Sequence, residues 1–546
     1  MTYLELPSTG TEQPPLFTTL EQCRLWRKTL PVTAPVQAQA QLVRQLHLLD
    51  RYTLPGDQRL AMLEELRESV YLVQGESAKK FLGKSLPLTP PEQAAYDSTH
   101  SLWLALTAGY MRCIDDCLSP TSTLKLQAAL ICQRALVTLI DDQNDRIRAG
   151  FQVEASFWRL ANKIYAGAET LARTTAAADD TLRNGKPMSP AAAYVELMLV
   201  AAASLHELPP RQQQWIMDWA HRWAGKVAIL MAAPALETPA LPLCVDLESS
   251  APAIFRPQSG KGARWLETTE LRNSLKKRLG LLAKGETNMA RLGLGEDCVL
   301  PACGDLLRRV YPRWVKGGVL RRHERHPMSG ACRFVVGVDA IHYYIAGHPF
   351  KAPTAPTSED LQHQRERLAT FDTVQERIND EFSRQQGFQL ENWEVMEDWN
   401  LLDQSNGGLR LVRPVKQSGG RLAIGQLIAV QPTGASSLLL GVVRWAQVAN
   451  DMLTTGIQLF PGKPQAIAVR GTGVMAARET WRPGFYIPEV LRLELPACVV
   501  LPHGSFKPNR IMEAWDEGDS GEIKLKEILD RGVDFERVSC VSLLHE

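Results

Sequence analysis

Three arginines stand close together in a short basic segment, directly before residues that predict a β-strand. The segment reads RRHERH and contains Arg321, Arg322 and Arg325. A guanidinium group presents a rigid fork of N–H donors that matches phosphate oxygens in pairs, which a lysine ammonium does not. In a chain with 61 Lys and Arg residues, an R-x-x-x-R spacing by itself is most simply a solvated charge cluster. The arginines therefore become candidates for anion binding only together with a second element.

The second element lies at a predicted turn between two strand-like runs and reads Asp403-x-Ser405-x-x-Gly408. Asp and Ser side chains can form hydrogen bonds with nearby backbone groups or with a ligand. Glycine allows backbone conformations and close approaches that other residues do not. This pattern alone is also a common turn. The two elements in this order, each beside a predicted strand, are much more specific than either one alone.

Together the two elements resemble those of the PilZ domain, a small six-stranded antiparallel barrel that binds the bacterial second messenger cyclic di-GMP. The motif pair of that family is R-x-x-x-R before the first strand and (D/N)-x-S-x-x-G between early strands. Arg321 and Arg325 match the first motif, and Asp403, Ser405 and Gly408 match the second. The resemblance therefore implies a β-barrel with a ligand site in the C-terminal half of the chain.

The resemblance covers residues 319–465 and includes two later segments, VRW at 443–445 and GIQLF at 456–460, that look like PilZ strands. It implies that cyclic di-GMP binds at Arg321, Arg322, Arg325, Asp403, Ser405 and Gly408. The arginines would hold phosphates and guanine edges, and Asp403 would accept hydrogen bonds from a guanine. One departure from the family pattern is a helical insertion at about 350–390, between the first two strands. Such an insertion costs a barrel little free energy.

Hydrophobic periodicity divides the chain into four regions and predicts a multidomain α + β protein. Apolar residues recur at spacings of three and four in the first region, and proline-containing breaks leave room for about eight helices. The later regions contain short runs of β-branched and aromatic residues between turn residues, which are typical of antiparallel barrels or sandwiches. The predicted regions are 17–236 (an all-α bundle or solenoid-like region), 237–318 (mixed linker and helical), 319–465 (a PilZ-like barrel with its insertion) and 466–546 (a β-rich unit).

Some local predictions concern single elements. The run RFVVGVDAIHYYIAG, from Arg333 to Gly347, is dense in β-branched and aromatic residues and predicts a strand. Periodicity and capping residues predict one helix at about 268–284 and another, highly charged, at about 358–386.

Bulk composition excludes several classes of function. The net charge of +1 gives no electrostatic case for duplex nucleic acid or an anionic membrane surface. The N-terminus has no signal-peptide pattern and the longest apolar stretches are short, so we expect no transmembrane segment. The ten cysteines include no C-x-x-C pair, which argues against a zinc ribbon and for no metal. Their low density in a long chain without a signal peptide predicts reduced thiols in a cytoplasmic protein. Cys113 and Cys117 fall on one apolar helix face and should pack in a core.

The acidic segment Asp141-Asp142-x-x-Asp145 leaves an alternative open. In helical prenyl-transferring enzymes, the D-D-x-x-D spacing positions carboxylates to hold Mg²⁺ against a diphosphate. No second acidic motif of that kind follows, so we interpret the segment as a solvated helix end. The enzyme alternative requires the three carboxylates to face an enclosed apolar cavity.

The sequence thus predicts a bacterial signalling effector without catalytic activity. Hydrolase, metalloprotease and dinucleotide-binding fingerprints do not occur in it. Cyclic di-GMP would bind the PilZ-like barrel, and the signal would pass to a helical region that binds an unknown protein partner. The alternative is a PilZ-like barrel that binds no ligand and serves as an interaction scaffold.

Overall fold

The computed structural model describes Leu6 and residues 8–10, 13–183, 185–234, 242–317, 324–353, 396–472, 479–516 and 519–542. The chain divides into two compact units. The helical unit comprises Met1–Lys84, Leu88–Arg322 and Gln447–Ala449, and the β-rich unit comprises Ser85–Pro87, His323–Ala446 and Asn450–Glu546. Each unit contains its own clusters of buried apolar residues. The predicted fold class, helical N-terminal part and antiparallel β-barrel C-terminal part, is confirmed.

The helical unit consists mainly of α-helices. In the described residues these are α1 (Leu20–Arg27), α2 (Pro35–Arg51), α3 (Gly56–Ala78), α4 (Pro90–Leu118), α5 (Ala128–Arg148), α6 (Ala155–Thr170), α7 (Pro190–Ala202), α8 (Pro210–Trp223), α9 (Thr269–Ala283), α10 (Met289–Leu292) and α11 (Ala302–Val315). Several begin with the expected capping residues. Glu92 accepts a hydrogen bond from the backbone N–H of Thr89 (2.8 Å), which helps to begin α4. The helix predicted at about 268–284 is confirmed as α9.

Helix α5 lies against α4, α6 and α7 and is central to the helical core. The stretch Thr123–Arg148, which contains it, is long and apolar enough to cross a membrane by length and composition. Within its most apolar window, 67% is buried inside the protein. Packing against neighbouring helices therefore accounts for this hydrophobicity. A small antiparallel sheet completes the unit, with strand order β1 (Ala228–Leu230), β3 (Ala263–Glu267), β2 (Leu243–Asp246).

The cysteines follow the sequence prediction only in part. Cys113 and Cys117 are fully buried in the helical core, which confirms their packing role. Cys298 and Cys303, which we expected as thiols, form a disulfide with a Cα–Cα distance of 5.9 Å. The expectation was wrong for this pair because the turn before α11 brings two cysteines only five residues apart within bonding geometry.

The β-rich unit contains two closed six-stranded antiparallel barrels. The first barrel consists of β4 (His326–Val336), β5 (Glu397–Ser405), β6 (Gly408–Pro414), β7 (Leu427–Pro432), β8 (Leu439–Ala449) and β9 (Met452–Leu459). The second consists of β10 (Gln465–Gly471), β11 (Arg482–Ile487), β12 (Cys498–Pro502), β13 (Ile511–Asp516), β14 (Asp519–Arg531) and β15 (Phe535–Ser542). Around the barrels the orders are β4-β5-β6-β9-β8-β7 and β10-β11-β12-β15-β14-β13. Numbered within each barrel, both orders read 1-2-3-6-5-4, so the two barrels share one topology.

The strand predicted for the whole of Arg333–Gly347 is wrong in its second half. Strand β4 ends at Val336, Gly337 turns the chain with φ of 93°, and helix α12 (Val338–Ala346) follows. Ala340 and Ile341 of this helix are buried in a cluster that contains residues of both barrels. A helix buried by several neighbours is apolar on more than one face, so its sequence resembles that of a buried strand. The helix predicted at about 358–386, with most of the insertion at about 350–390, lies outside the described residues.

Candidate functional site

A β-bulge in β5 determines which way Asp403 points. Leu401 lies opposite Leu411 of β6, whereas Asp403 lies opposite Arg410, so β5 has one more residue than β6 over this interval. Neighbouring residues of a strand point to opposite faces. Leu401 therefore shares the buried face with Leu411, and Asp403 shares the other face with Arg410. The pairing of β4 with β5 is irregular at the same place, and such bulges commonly redirect a side chain.

Two arginines converge on the carboxylate of Asp403. The distance from Arg325 Nη1 to Asp403 Oδ1 is 2.8 Å, and that from Arg410 Nε to Asp403 Oδ2 is 2.7 Å. The Asp403 side chain is 11% exposed, while those of Arg325 and Arg410 are 31% and 42% exposed. Ion pairs with partners this exposed contribute little stability, so they can open at small cost. The carboxylate is thus covered by two guanidinium groups that remain accessible to solvent.

The hairpin that joins β5 to β6 brings Ser405 and Gly408 face to face. The Ser405 hydroxyl donates to the carbonyl oxygen of Gly408 at 3.3 Å. A Cβ on Gly408 would lie 2.4 Å from the carbonyl oxygen of Ile457 in β9, so any other residue would push the two strands apart. A Cβ on neighbouring Gly407 would meet nothing within 4 Å. The close approach of β6 and β9 therefore requires glycine at 408 and not at 407.

These five residues form one surface of the first barrel, called here the Asp403 surface: Arg325, Asp403, Ser405, Gly408 and Arg410. The indole of Trp445 borders it and covers Gly456, the cross-strand partner of Arg410. A Cβ on Gly456 would lie 2.0 Å from Trp445 Nε1, so glycine makes room for the ring. A flat aromatic side chain thus covers the strand position opposite Arg410.

Arg444 links the first barrel, near Gly408, to the second barrel. Its Nε donates to Gln458 Oε1 at 2.8 Å, and Gln458 lies opposite Gly408 in the β6–β9 pair. Its Nη2 donates to Asp530 Oδ2 of β14 at 2.5 Å. A single side chain therefore joins the edge of the Asp403 surface to the neighbouring barrel.

The structure brings together four of the six residues that the sequence singled out. Arg325, Asp403, Ser405 and Gly408 are neighbours, whereas Arg321 and Arg322 lie outside the described residues. Sequence reasoning missed Arg410. A two-residue turn at 406–407 pairs Ser405 with Gly408, and continuing the pairing along both strands puts Arg410 opposite Asp403. The sequence alone could therefore have identified Arg410.

The interpretation of Asp141-Asp142-x-x-Asp145 as a solvated helix end is wrong, because neighbouring helices cover this part of α5. Asp142 is 1% exposed; Arg146 Nε donates to its Oδ2 at 3.0 Å, and its Oδ1 lies 2.6 Å from His100 Nδ1. Asp141 and Asp145 instead line a cavity elsewhere on the helix. Asp142 does not line this cavity, so the three carboxylates do not all face it, contrary to what the Mg²⁺ enzyme alternative requires. Across the described ranges, no group of three or more His, Cys, Asp or Glu residues is arranged to hold a metal ion.

The architecture is therefore that of a two-unit protein, a helical unit followed by tandem antiparallel barrels, with an arginine–aspartate surface on the first barrel. Residues 21–235 match a family model described as "Cyclic-di-GMP receptor FimW, N-terminal domain". The chain is also similar to a protein of Pseudomonas aeruginosa named "Cyclic-di-GMP receptor FimW", with 24% identity over 535 residues. That alignment covers 90% of this chain and 85% of the relative. The family match lies in the helical unit, and the longer alignment extends into the barrels.

Proposed function

We propose that this chain is a non-catalytic receptor for cyclic di-GMP that binds its ligand at the Asp403 surface of the first barrel. The observation that carries the proposal is the contact between Arg325 and Asp403. It joins the two motif elements that resemble those of PilZ domains, although they are 78 residues apart in the chain. The match of residues 21–235 to a receptor family, and the similarity to a relative named as such a receptor, support the proposal from a different part of the chain.

The chemistry of the Asp403 surface suits this ligand, which carries two phosphates and two guanines. Guanine presents two acceptors, O6 and N7, which a guanidinium group matches in a bidentate way. Its N1–H and amino donors require an acceptor such as a carboxylate. In the proposed exchange, Arg325 leaves Asp403 for a phosphate or guanine edge, and Asp403 accepts from a guanine instead. Arg410 keeps its own contact with the carboxylate and holds it in place.

The proposed ligand-binding set also includes residues beyond this pair. The full set is Arg321, Arg322, Arg325, Asp403, Ser405 and Gly408. The segment that carries the first three arginines would close over the anionic ligand. Ser405 would contact a guanine edge, and the missing side chain of Gly408 leaves space for that base.

The output would be a change in how the chain meets a protein partner in a bacterial cytoplasm. Ligand binding shifts a conformational equilibrium only when the ligand has different affinities for the two arrangements. Contacts of the arginines with ligand that form only when their segment closes would supply that difference. The helical unit would present the surface that the partner recognises.

Titration calorimetry with cyclic di-GMP tests the proposal. We expect the wild-type chain to bind, and the double variant Arg321→Ala with Arg325→Ala to lose at least about thirtyfold in affinity, because each bidentate arginine contact contributes about 1–3 kcal/mol. The matched control is Arg470→Ala with Arg482→Ala, which removes two arginines from the second barrel and should bind like wild type. Absence of binding by wild type would contradict the receptor proposal and favour the interaction scaffold. Equal binding by R321A/R325A would place the ligand elsewhere.

A further inference from the structure

The second barrel has a cavity of about 330 Å³ at one of its ends. Val469 of β10 and Met512 of β13 line its apolar part, and both also belong to the buried apolar cluster of that barrel. The polar part is formed by the residues at 479–482 and the turn at 502–505. The mouths of β-barrels are a common place for small-molecule sites, which have volumes of about 300–1,000 Å³. All of the lining residues come from the second barrel, so the cavity is separate from the Asp403 surface.

Three arginines from different parts of the barrel line this cavity. Arg470 lies on β10, Arg482 begins β11, and Arg510 lies in the turn before β13. Arg482 is the cross-strand partner of Val469, and such partners point to the same face of a sheet. Because Val469 faces the barrel interior, Arg482 points into the mouth of the barrel.

Two of the three arginines already have a carboxylate partner. Arg510 Nη2 lies 2.8 Å and 2.9 Å from the two carboxylate oxygens of Glu479. Arg470 Nε donates to Glu513 Oε2 at 2.6 Å. Of the described residues that line the cavity, Glu479 alone carries a carboxylate. With Glu513 counted as well, the three arginines still leave one positive charge unmatched.

The unmatched charge is that of Arg482. Its guanidinium group has no ion-pair or hydrogen-bond partner within the described ranges of the chain. Glu536, a further carboxylate near the turn, does not line the cavity. It accepts from the backbone N–H of Phe506 at 2.8 Å and forms a 2.9 Å pair with Arg531. An anion in the cavity would therefore find a guanidinium fork that no carboxylate of the barrel occupies.

The wall beside Arg482 is held in place by a glycine. A Cβ on Gly471 would collide with Arg510 Nη2 and Glu479 Oε2, so only glycine leaves room for their ion pair. The backbone N–H of Gly471 donates to Glu479 Oε2 at 2.9 Å, and Arg510 Nη1 donates to the carbonyl oxygen of Ser505 at 3.0 Å. These contacts fix the wall before a ligand binds, which lowers the entropy that binding costs.

We propose that this cavity binds a phosphate monoester of a small organic group, with the phosphate at Arg482 and the organic group against Val469 and Met512. A guanidinium fork matches two phosphate oxygens at once. A phosphate ester has three terminal oxygens that accept hydrogen bonds, so it can use several donors of one wall. Further donors line the same cavity: the remaining N–H groups of Arg470 and Arg510, and the hydroxyls of Thr480 and Ser505.

The ligand of this cavity differs from the one proposed for the first barrel. The second barrel lacks the D-x-S-x-x-G motif, and the one carboxylate on the described wall of the cavity is already paired with Arg510. A guanine would therefore find no free carboxylate to accept from its N–H groups. The inference does not depend on cyclic di-GMP binding, and either proposal can fail without the other.

Titration calorimetry of the full chain tests the proposal with three matched probes: phenyl phosphate, benzoate and phenol. They share one apolar ring and differ in the group that would meet Arg482. We expect phenyl phosphate to bind with a Kd below about 1 mM, benzoate to bind more weakly and phenol not to bind. Absence of phenyl phosphate binding at about 10 mM would overturn the proposal, and equal affinity for benzoate would overturn the choice of a phosphate.

Arg482→Ala is the informative variant, because this side chain has no partner in the described structure whose loss could disturb the fold. We expect R482A to weaken phenyl phosphate binding at least about tenfold. Arg482→Lys keeps the charge without the fork and should lose less. Arg492→Ala is the matched control: it removes an exposed arginine from the loop at 488–497, at the opposite end of β11, and should bind like wild type.

Two further measurements make the result decisive. Thermal unfolding shows whether each variant is folded, and unchanged affinity for phenyl phosphate in folded R482A would overturn the proposal. The phenyl phosphate titration is then repeated with cyclic di-GMP present. We expect the same affinity, whereas competition between the two ligands would overturn a separate site on the second barrel.

Discussion

The two barrels of the β-rich unit share one strand order but differ in how they connect strands and fill their interiors. In the first barrel a two-residue turn joins the second strand to the third, and Asp403 lies beside it. In the second barrel ten residues, 488–497, join Ile487 to Cys498, and no D-x-S-x-x-G pattern occurs there. The shared strand order of the two barrels is therefore not sufficient to form the candidate site. The site depends on a tight hairpin and a bulge that only the first barrel combines with the motif residues.

The two barrels also differ in the charged side chains that they bury. The first barrel buries an ion pair between Glu397 and Arg413, whose Oε2 and Nε are 3.3 Å apart. Glu397 also accepts from the Trp399 indole at 2.9 Å, and Arg413 donates to the carbonyl of Gly420 at 2.9 Å. The buried cluster of the second barrel is apolar, with members such as Leu525 and Val538. The second barrel also buries a carboxylate, Glu536 of β15, but its partner Arg531 is 52% exposed. The first barrel thus buries both partners of its ion pair, whereas this pair of the second barrel buries one.

Glu397→Gln should show the largest effect and tests this difference directly. It leaves the buried guanidinium of Arg413 without its counter-charge, which typically destabilises a protein by about 3–5 kcal/mol. The matched control Glu513→Gln removes the 2.6 Å pair with Arg470 in the second barrel, whose side chains are both about a third exposed. That loss should stay below about 1 kcal/mol.

Amide hydrogen exchange resolves the two effects within the full chain. For E397Q we expect faster exchange in β5, β6 and the loop at 414–420, while β10–β15 remain protected. For E513Q we expect little change in either barrel. Equal, small effects of both variants would show that the buried Glu397–Arg413 pair adds no stability. The difference between the barrel interiors would then not affect the free energy of unfolding.

Gly408→Ala should have an intermediate effect, and Gly407→Ala provides a control one residue away. A Cβ added at position 408 would lie 2.4 Å from the Ile457 carbonyl oxygen, whereas one added at position 407 would meet nothing within 4 Å. Moving packed strands apart costs about 1–3 kcal/mol. Because this shift displaces the Asp403 surface, we expect G408A to weaken cyclic di-GMP binding by about fivefold or more and G407A to leave it unchanged. Calorimetry that found both variants equal to wild type would show that the close approach at 408 does not matter for the ligand.

Sequence reasoning found the motif residues but not the direction in which they point. Residue types and order identified Arg325 and Asp403, because arginine forks and Asp/Ser turns have chemistry that is visible in a sequence. Strict alternation along β5, however, puts Asp403 on the same face as Leu401. The bulge puts Asp403 on the opposite face from Leu401. Nothing in the residue types around the bulge indicates that β5 has an extra residue there. Register and bulges depend on which strand lies opposite, which is information that a local pattern lacks.

The helical unit shows the same limitation in another form. Charged residues near the end of a helix usually face water, so Asp141 and Asp145 read as solvated. Their environment is set by Tyr71 and Trp103, which lie 70 and 42 residues away in the chain. Only tertiary packing brings these donors to the carboxylates. Composition and periodicity predicted the helical and antiparallel β parts, and the PilZ resemblance predicted a barrel. The chemistry of individual side chains, by contrast, depends on long-range neighbours.

The smallest effect concerns the contact that joins the barrels. Arg444 and Asp530 form a 2.5 Å pair with side chains 40% and 18% exposed, so its own contribution should be about 0.2–1 kcal/mol. A double-mutant cycle of Arg444→Ala and Asp530→Ala, measured by cyclic di-GMP titration, reports how far the second barrel influences the first. Because Arg444 also donates to Gln458, R444A should weaken binding by less than about fivefold, whereas D530A should change it by less than about twofold. A coupling energy above about 2 kcal/mol in ligand affinity would contradict a passive second barrel. In that case the second barrel, which lacks the motif, would influence the ligand site through the Arg444–Asp530 contact. The second barrel would then have a regulatory role.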